Sequence, residues 1–210
     1  MCAASSFTLN HYKPLSGFQF FGNDPSQADP SSRIDQALKG IQALLFPVDG
    51  ILNGSKITFD HSGNELCTIS VRDAIAIKEA VKLGLRIGVL SSRNAEGYRP
   101  MLEALGVQDL YLNGEHVFYS YDAFRHRHSL SNEECAYIGD DIGDIDVLAK
   151  VGLPATSIDG ADYLRNRVAY ISGFEGGKGC IRELVEEILT RQGKWPYIER
   201  PDEEDETAEE

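Results

Sequence analysis

The sequence predicts an α/β fold in which a central parallel sheet is flanked by helices. From Ile41 onward, short apolar runs alternate with stretches of helical periodicity. This alternation is the pattern of βαβ units, whose crossover helices cover the faces of a parallel sheet. A length of 210 residues suits one domain with a well-buried core, and a second full domain is not expected.

The elements follow in chain order. Residues 1–31 lack a helical or strand period and are rich in Ser, Asn, Pro and aromatic residues, so we expect a flexible extension. The domain is predicted over residues 32–196, and Ser32 is expected to cap a short helix over residues 33–38. The predicted strands are 42–46, 86–90, 108–112, 135–138 and 168–171. The predicted helices are 71–83, 95–105, 118–127, 142–150, 161–164 and 178–191.

A β-hairpin is predicted between the first two strands, over about residues 56–70. Alternating residues there flank the turn sequence His61-Ser62-Gly63-Asn64.

Charge and composition exclude several classes of function. The net charge is −13, and seven negative charges lie in residues 202–210, within the predicted tail over residues 197–210. Such a like-charge block is expected to stay disordered. An acidic chain of this kind argues against nucleic acid as a partner, because phosphate contacts need Lys and Arg.

No apolar stretch approaches the roughly 20 residues that a membrane helix needs. Residues 1–10 lack a basic and an apolar segment of the kind that directs secretion, so we expect a cytoplasmic protein. The four cysteines are far apart in sequence, which favours buried thiols over a disulfide framework or a zinc site.

Three loops follow predicted strands and are expected to meet where ligands bind in an open parallel sheet. The first is Pro47-Val48-Asp49-Gly50, the second is Ser91-Ser92-Arg93, and the third is Gly139-Asp140-Asp141-Ile142-Gly143-Asp144. Three carboxylates within five residues suggest a hard cation bound by oxygen ligands. They are equally compatible with the acidic N-terminal turn of a helix, and this segment alone does not decide between the two.

Besides the three loops, the chain contains three further motifs: Val71-Arg72-Asp73, Gly176-Gly-Lys-Gly-Cys-Ile-Arg-Glu183 and Gln192-Gly-Lys-Trp195. Together with the three loops, they resemble the haloacid dehalogenase superfamily, and more closely its 3-deoxy-D-manno-octulosonate 8-phosphate phosphatase family. The resemblance covers about residues 41–195. It implies a flavodoxin-like or Rossmann-like domain of the C0 type, without a large cap. It also implies a magnesium cofactor, a phosphorylated sugar ligand, a place in lipopolysaccharide biosynthesis and a homotetramer assembled through the hairpin.

The resemblance assigns roles residue by residue. Asp49 matches the general acid and base, and its backbone carbonyl matches a metal ligand. Ser91 and Arg93 match residues that bind the phosphoryl group. Asp140 matches a magnesium ligand, with Asp141 and Asp144 in support.

Two positions depart from the family pattern. Pro47 stands where the family has the aspartate that attacks phosphorus and ligates the metal, and proline has neither a nucleophile nor a charge. Val117 stands where the family has a lysine that neutralises the phosphate. Arg125 and Arg127 are conceivable replacements, although a surface position suits each of them better.

These losses predict a pseudo-phosphatase with a weakened magnesium site that acts as a scaffold, a regulator or a sugar-phosphate binder. The alternative is an active magnesium-dependent sugar-phosphate phosphatase with an altered mechanism, in which Asp49 or a carboxylate of residues 140–144 serves catalysis. A different reaction at the same pocket, or assembly with an intact homologue, remains open.

Overall fold

A computed structural model describes residues 30–114 and 116–197. Its strands are β1 Ala43–Pro47, β2 Arg86–Leu90, β3 Asp109–Tyr111, β4 Cys135–Gly139, β5 Leu153–Thr156 and β6 Tyr170–Ile171. They form one parallel sheet in the order β3-β2-β1-β4-β5-β6. This is the Rossmann strand order rather than the flavodoxin order, and its reversal between β1 and β4 creates a crevice at the carboxyl ends of the strands.

Within the described residues, six α-helices flank the sheet. They are α1 Pro30–Gly40, α2 Val71–Lys82, α3 Arg99–Ala104, α4 Val117–Arg127, α5 Ile145–Leu148 and α6 Cys180–Arg191. Buried residues of α1, α2, α3 and α6 share one core with one face of the sheet. Buried residues of α4 and α5 form a second core on the opposite face. Every residue of β1 is buried, because both cores cover it.

The strand prediction missed β5 and was otherwise close. The missed strand, Leu153–Thr156, is buried at all four positions between β4 and β6. Its second residue is Pro154, and proline inside a short apolar run normally argues against a strand because it cannot donate to the ladder. Burial of the surrounding residues outweighs that local signal here.

Several helix bounds also differ from the prediction, and the helix predicted over residues 95–105 begins as α3 at Arg99 after a tight turn, Glu96–Tyr98. The first helix begins at Pro30, so Ser32 lies inside it rather than capping it. Proline is well suited to a first helical turn, since the missing N–H has no partner there. The predicted helix over residues 142–150 is shorter and consists of a tight turn, Ile142–Asp144, followed by α5.

The predicted hairpin is much reduced. Its turn forms, but the flanking residues make a single antiparallel bridge, Phe59 to Glu65, instead of two strands. The Asp60 carboxylate accepts the N–H groups of Ser62 and Asn64, at 2.8 and 2.9 Å, and these bonds give the turn its shape. Such side-chain bonds to nearby backbone are typical of aspartate in turns.

The extension was expected over residues 1–31, but its last two residues belong to α1. Residues 1–29 and the acidic tail beyond residue 197 lie outside the described residues, and their disorder stays a prediction. Within the described part of the chain, Cys135 and Cys180 are buried free thiols and Cys67 is partly buried. No helix in that part is long and apolar enough to cross a bilayer.

Asp73 fixes the start of α6 from the first turn of α2. Its side chain is fully buried, and its two oxygens accept the N–H groups of Gly179 and Arg182 at 3.1 and 2.9 Å. These amides belong to the start of a helix, where N–H groups have no partner within the helix. The residues just before them, Gly176 and Gly177, contact the loop after β1, so Asp73 also sets one wall of the crevice.

We predict that Asp73→Ala lowers the free energy of unfolding by about 3 kcal/mol, because two buried amides lose their acceptor. Chemical denaturation measures the change. The matched control is Asp162→Ala, whose carboxylate is 99% exposed and whose loss should leave stability unchanged. Equal stability of both variants would contradict the capping role of Asp73.

Candidate functional site

The three predicted loops meet at the carboxyl edge of the sheet. Pro47 ends β1 and lies opposite Leu90, the last residue of β2. Gly50 then has φ +84°, and a Cβ atom there would lie 1.9 Å from the carboxyl group of Asp140, after β4. Only glycine allows this approach, so the first and third loops touch.

Pro47 fits its position without strain. It is fully extended, with φ −79° and ψ 158°, and it is buried. A proline can close a strand because the ladder does not need its N–H there. The strand therefore tolerates proline at its last position.

Asp49 and Arg93 form a bidentate ion pair. The Arg93 Nε and Nη2 atoms donate to the two Asp49 oxygens at 2.7 and 2.8 Å. The Asn53 side-chain amide donates to the same carboxylate at 2.8 Å. Both oxygens of the predicted general acid and base are therefore engaged with groups of the protein.

Glu65 is the second partner of Arg93, and no sequence motif marks it as a site residue. Arg93 Nη1 and Nη2 donate to its two oxygens at 2.7 and 2.8 Å, and Nη1 also donates to the Asn94 carbonyl at 3.2 Å. A guanidinium has five N–H donors, so the acceptors of the protein occupy all of them. Arg93 was predicted to bind a phosphoryl group, and in this arrangement it has no free donor for one.

Ser91 is buried and serves its own loop. It is 2% exposed, and its Oγ atom accepts the Arg93 N–H at 3.2 Å. Its predicted contact with a phosphoryl group stays a prediction.

Asp140 is the carboxylate of the third loop with the fewest partners among those described. It accepts the Ser55 hydroxyl at 3.1 Å. Burial first, and then the charge of Asp144, raise the pKa of Asp140 to about 7, against the opposing effect of the Ser55 bond. A partly buried carboxyl with such a pKa lacks a compensating cation, which is the condition that a bound cation would relieve.

Asp141 and Asp144 cap the helical turn that follows β4. The Asp144 carboxylate is 4% exposed and accepts the Tyr137 hydroxyl at 2.5 Å and the Asp140 N–H at 2.9 Å. Asp141 accepts the Ile142 N–H at 2.7 Å and the Tyr163 hydroxyl. Of the two readings of this acidic loop, the helix cap is directly visible in the structure, while a supporting role toward a metal stays a prediction.

Val117 lies in the core, at the start of α4. It is 4% exposed and belongs to the core cluster that contains Leu45 and Tyr121. The two nearby arginines, for which a surface position was expected, pair elsewhere: Arg125 pairs with Asp122 and Arg127 pairs with Asp109.

The residues present fit a magnesium site poorly. Magnesium favours an octahedral shell of oxygen ligands, commonly with one or two carboxylates. Pro47 supplies none, and the side chains of Asp49, Asp141 and Asp144 are engaged as described above. Within residues 30–114 and 116–197, no group of three or more His, Cys, Asp or Glu side chains could hold a metal ion.

Comparison with known proteins agrees with the fold and with the family that the sequence resembles. No family model matches the chain. The 3-deoxy-D-manno-octulosonate 8-phosphate phosphatase of Escherichia coli K12 is 30% identical over 156 residues, which cover 74% of this chain and 83% of that protein.

Two crystal structures show the same architecture. The phosphatase of that name from Yersinia pestis superimposes with a TM-score of 0.74 at 29% identity, over 77% of this chain and 88% of that one. The enzyme from Moraxella catarrhalis, in complex with magnesium, phosphate and 3-deoxy-D-manno-octulosonate (KDO), has a TM-score of 0.73 at 25% identity, over 77% and 93% of the two chains. The protein described here belongs to the 3-deoxy-D-manno-octulosonate 8-phosphate phosphatase family of the haloacid dehalogenase superfamily.

Proposed function

We propose that this protein is a pseudo-phosphatase: a catalytically impaired member of its family that acts as a scaffold, a regulator or a binder of phosphorylated sugars. The observation that carries the proposal is Pro47 at the end of β1, in the position of the attacking aspartate. Without an attacking carboxylate, no covalent phosphoryl intermediate can form there. The cytoplasmic location expected from the sequence is part of this proposal.

The state of Asp49 supports the same conclusion. A general acid and base must exchange a proton with the reacting group, so its oxygens must be within reach of that group. Both Asp49 oxygens instead accept hydrogen bonds from Arg93 and Asn53. The loss of a lysine at Val117 removes a further charge that would stabilise a phosphoryl group, which is costly for a transition state of this kind.

The ligand class follows from the relatives. The Moraxella catarrhalis structure contains a magnesium ion, a phosphate ion and a KDO molecule. A phosphorylated sugar acid is therefore the ligand to test first, and magnesium is the cation. We propose that any magnesium site is weakened, because most carboxylates of the described loops are already engaged by protein donors. Asp140 is the one carboxylate of these loops that is held by a single neutral side-chain donor.

The alternative is an active phosphatase that attacks phosphorus with water activated by Asp49. It requires Arg93 to release Asp49 and the missing metal carboxylate to be replaced. The intact positions Ser91 and Asp140 favour this alternative, whereas the pairing of Asp49 disfavours it.

The homotetramer is proposed on the apolar surface around the hairpin. Large hydrophobic side chains of the hairpin segment and the start of α2 are about half exposed or more: Ile57, Phe59, Leu66, Val71 and Ile75. A concentration of exposed apolar residues of this kind is typical of an interface between proteins. Self-association through this surface would bury it.

One prediction of this proposal concerns the turnover of substrate. With magnesium and KDO 8-phosphate, the wild type should hydrolyse substrate no faster than Asp49→Asn, because the attacking group is missing. The double variant Pro47→Asp with Val117→Lys should gain activity, provided that its circular dichroism shows a folded protein. A wild-type rate about tenfold above Asp49→Asn, equivalent to about 1.4 kcal/mol of transition-state stabilisation, would contradict the pseudo-phosphatase proposal.

The second prediction concerns assembly. Light scattering should give the mass of a tetramer for the wild type and a smaller mass for Phe59→Asp, since a charge in an apolar interface is costly to bury. Tyr119→Asp is the matched control, because Tyr119 is 68% exposed on α4, outside the hairpin surface, and its replacement should leave the mass unchanged. A monomeric wild type would rule out the proposed tetramer.

A further inference from the structure

Arg93 connects three segments that are distant in sequence. It follows β2, and it pairs with Asp49 after β1 and with Glu65 beyond the hairpin turn. Both pairs are bidentate, the geometry in which a guanidinium binds a carboxylate most strongly. The side chains of Arg93, Asp49 and Glu65 are 27%, 38% and 21% exposed, so water screens them less than it screens an ordinary surface pair.

Arg93 carries a permanent positive charge in this cluster. An arginine guanidinium stays protonated in proteins, so one fixed positive charge faces the Asp49 and Glu65 carboxylates. Removing it would leave two like charges close together without a counter-ion, which is strongly unfavourable in a partly buried place.

Glu65 lies at the boundary between the anchored and the exposed parts of the hairpin segment. On its C-terminal side, Cys67 and Ile69 pack against the core. On its N-terminal side, Ile57 and Phe59 are 47% and 60% exposed. The Arg93–Glu65 pair is therefore placed to hold the exposed turn against the end of the sheet.

We propose that Arg93 supplies the positive charge of this site in place of a divalent metal. It neutralises the carboxylates of Asp49 and Glu65 and thereby holds the hairpin segment against the sheet. The inference rests on the proposed loss of catalysis, because a working acid and base would have to be free of Arg93. It accounts for the poor fit of the site to magnesium, since the other acidic side chains around it are held by hydroxyl and amide donors.

The test compares Arg93→Met and Glu65→Gln with a matched control, Arg99→Met. Arg99 pairs with Glu96 and Glu103 on the surface, so its loss should leave the melting temperature unchanged. Arg93→Met should lower the melting temperature by about 5 °C, and Glu65→Gln by less. The double variant should be less destabilised than the sum of the two, because both changes break the same pair.

Hydrogen exchange provides a readout that a general loss of stability would not give. In Arg93→Met, the amides of Asp60 and Leu66, which bond to Asn64 and Thr58, should exchange faster. Amides within α2 and α6 should keep their relative protection under the same conditions. If Arg93→Met does not fold, Glu65→Gln gives the same comparison.

Magnesium itself is the second probe. The wild-type melting temperature should be the same in EDTA and in about 5 mM magnesium chloride, whereas Pro47→Asp should be stabilised by the metal. A magnesium-dependent rise in the inactive wild type would overturn this inference and leave the pseudo-phosphatase proposal standing. Turnover of substrate by the wild type would instead contradict the proposed function, on which this inference rests. An Arg93→Met variant with wild-type stability and wild-type hairpin exchange would also overturn the inference.

Discussion

The crevice depends on how closely three backbone segments approach one another at the carboxyl edge of the sheet. A Cβ atom at Gly176 would lie 1.8 Å from the Gly50 carbonyl oxygen, and one at Gly50 would meet the carboxyl group of Asp140. The Gly177 N–H donates to the Ile51 carbonyl at 2.7 Å and joins the same segments. Because close packing tolerates almost no added volume, these contacts fix where every side chain of the site begins.

None of these contacts requires a carboxylate at position 47. The loops are held by close contacts of glycine backbone and by the carboxylate caps of the turn after β4. Asp73 of α2 also holds them, since it accepts an N–H group at the start of α6. The scaffold therefore depends on residues other than Pro47, and the identity of residue 47 can differ while the scaffold persists. Function resides in particular side chains placed on a fold and not in the fold itself.

The sequence predicts the sheet well because buried parallel strands are continuous apolar runs, which are visible without any structure. The strand β5 is missed because it contains Pro154. Whether a strand tolerates proline depends on neighbours in space, which the local sequence does not show. Asp141 and Asp144 are ambiguous for a physical reason: a metal site and a helix start both favour carboxylates. Glu65 could not have been found, because its pairing with Arg93 depends on where the hairpin segment folds over the sheet.

The contact between Asp73 and Gly179 joins residues 106 positions apart. During synthesis, the segment that forms the last wall of the crevice leaves the ribosome long after the loop after β1. Contacts of such long sequence separation close large loops and therefore form slowly. We therefore expect the wall of the crevice that precedes α6 to be among the last parts of the site to take shape.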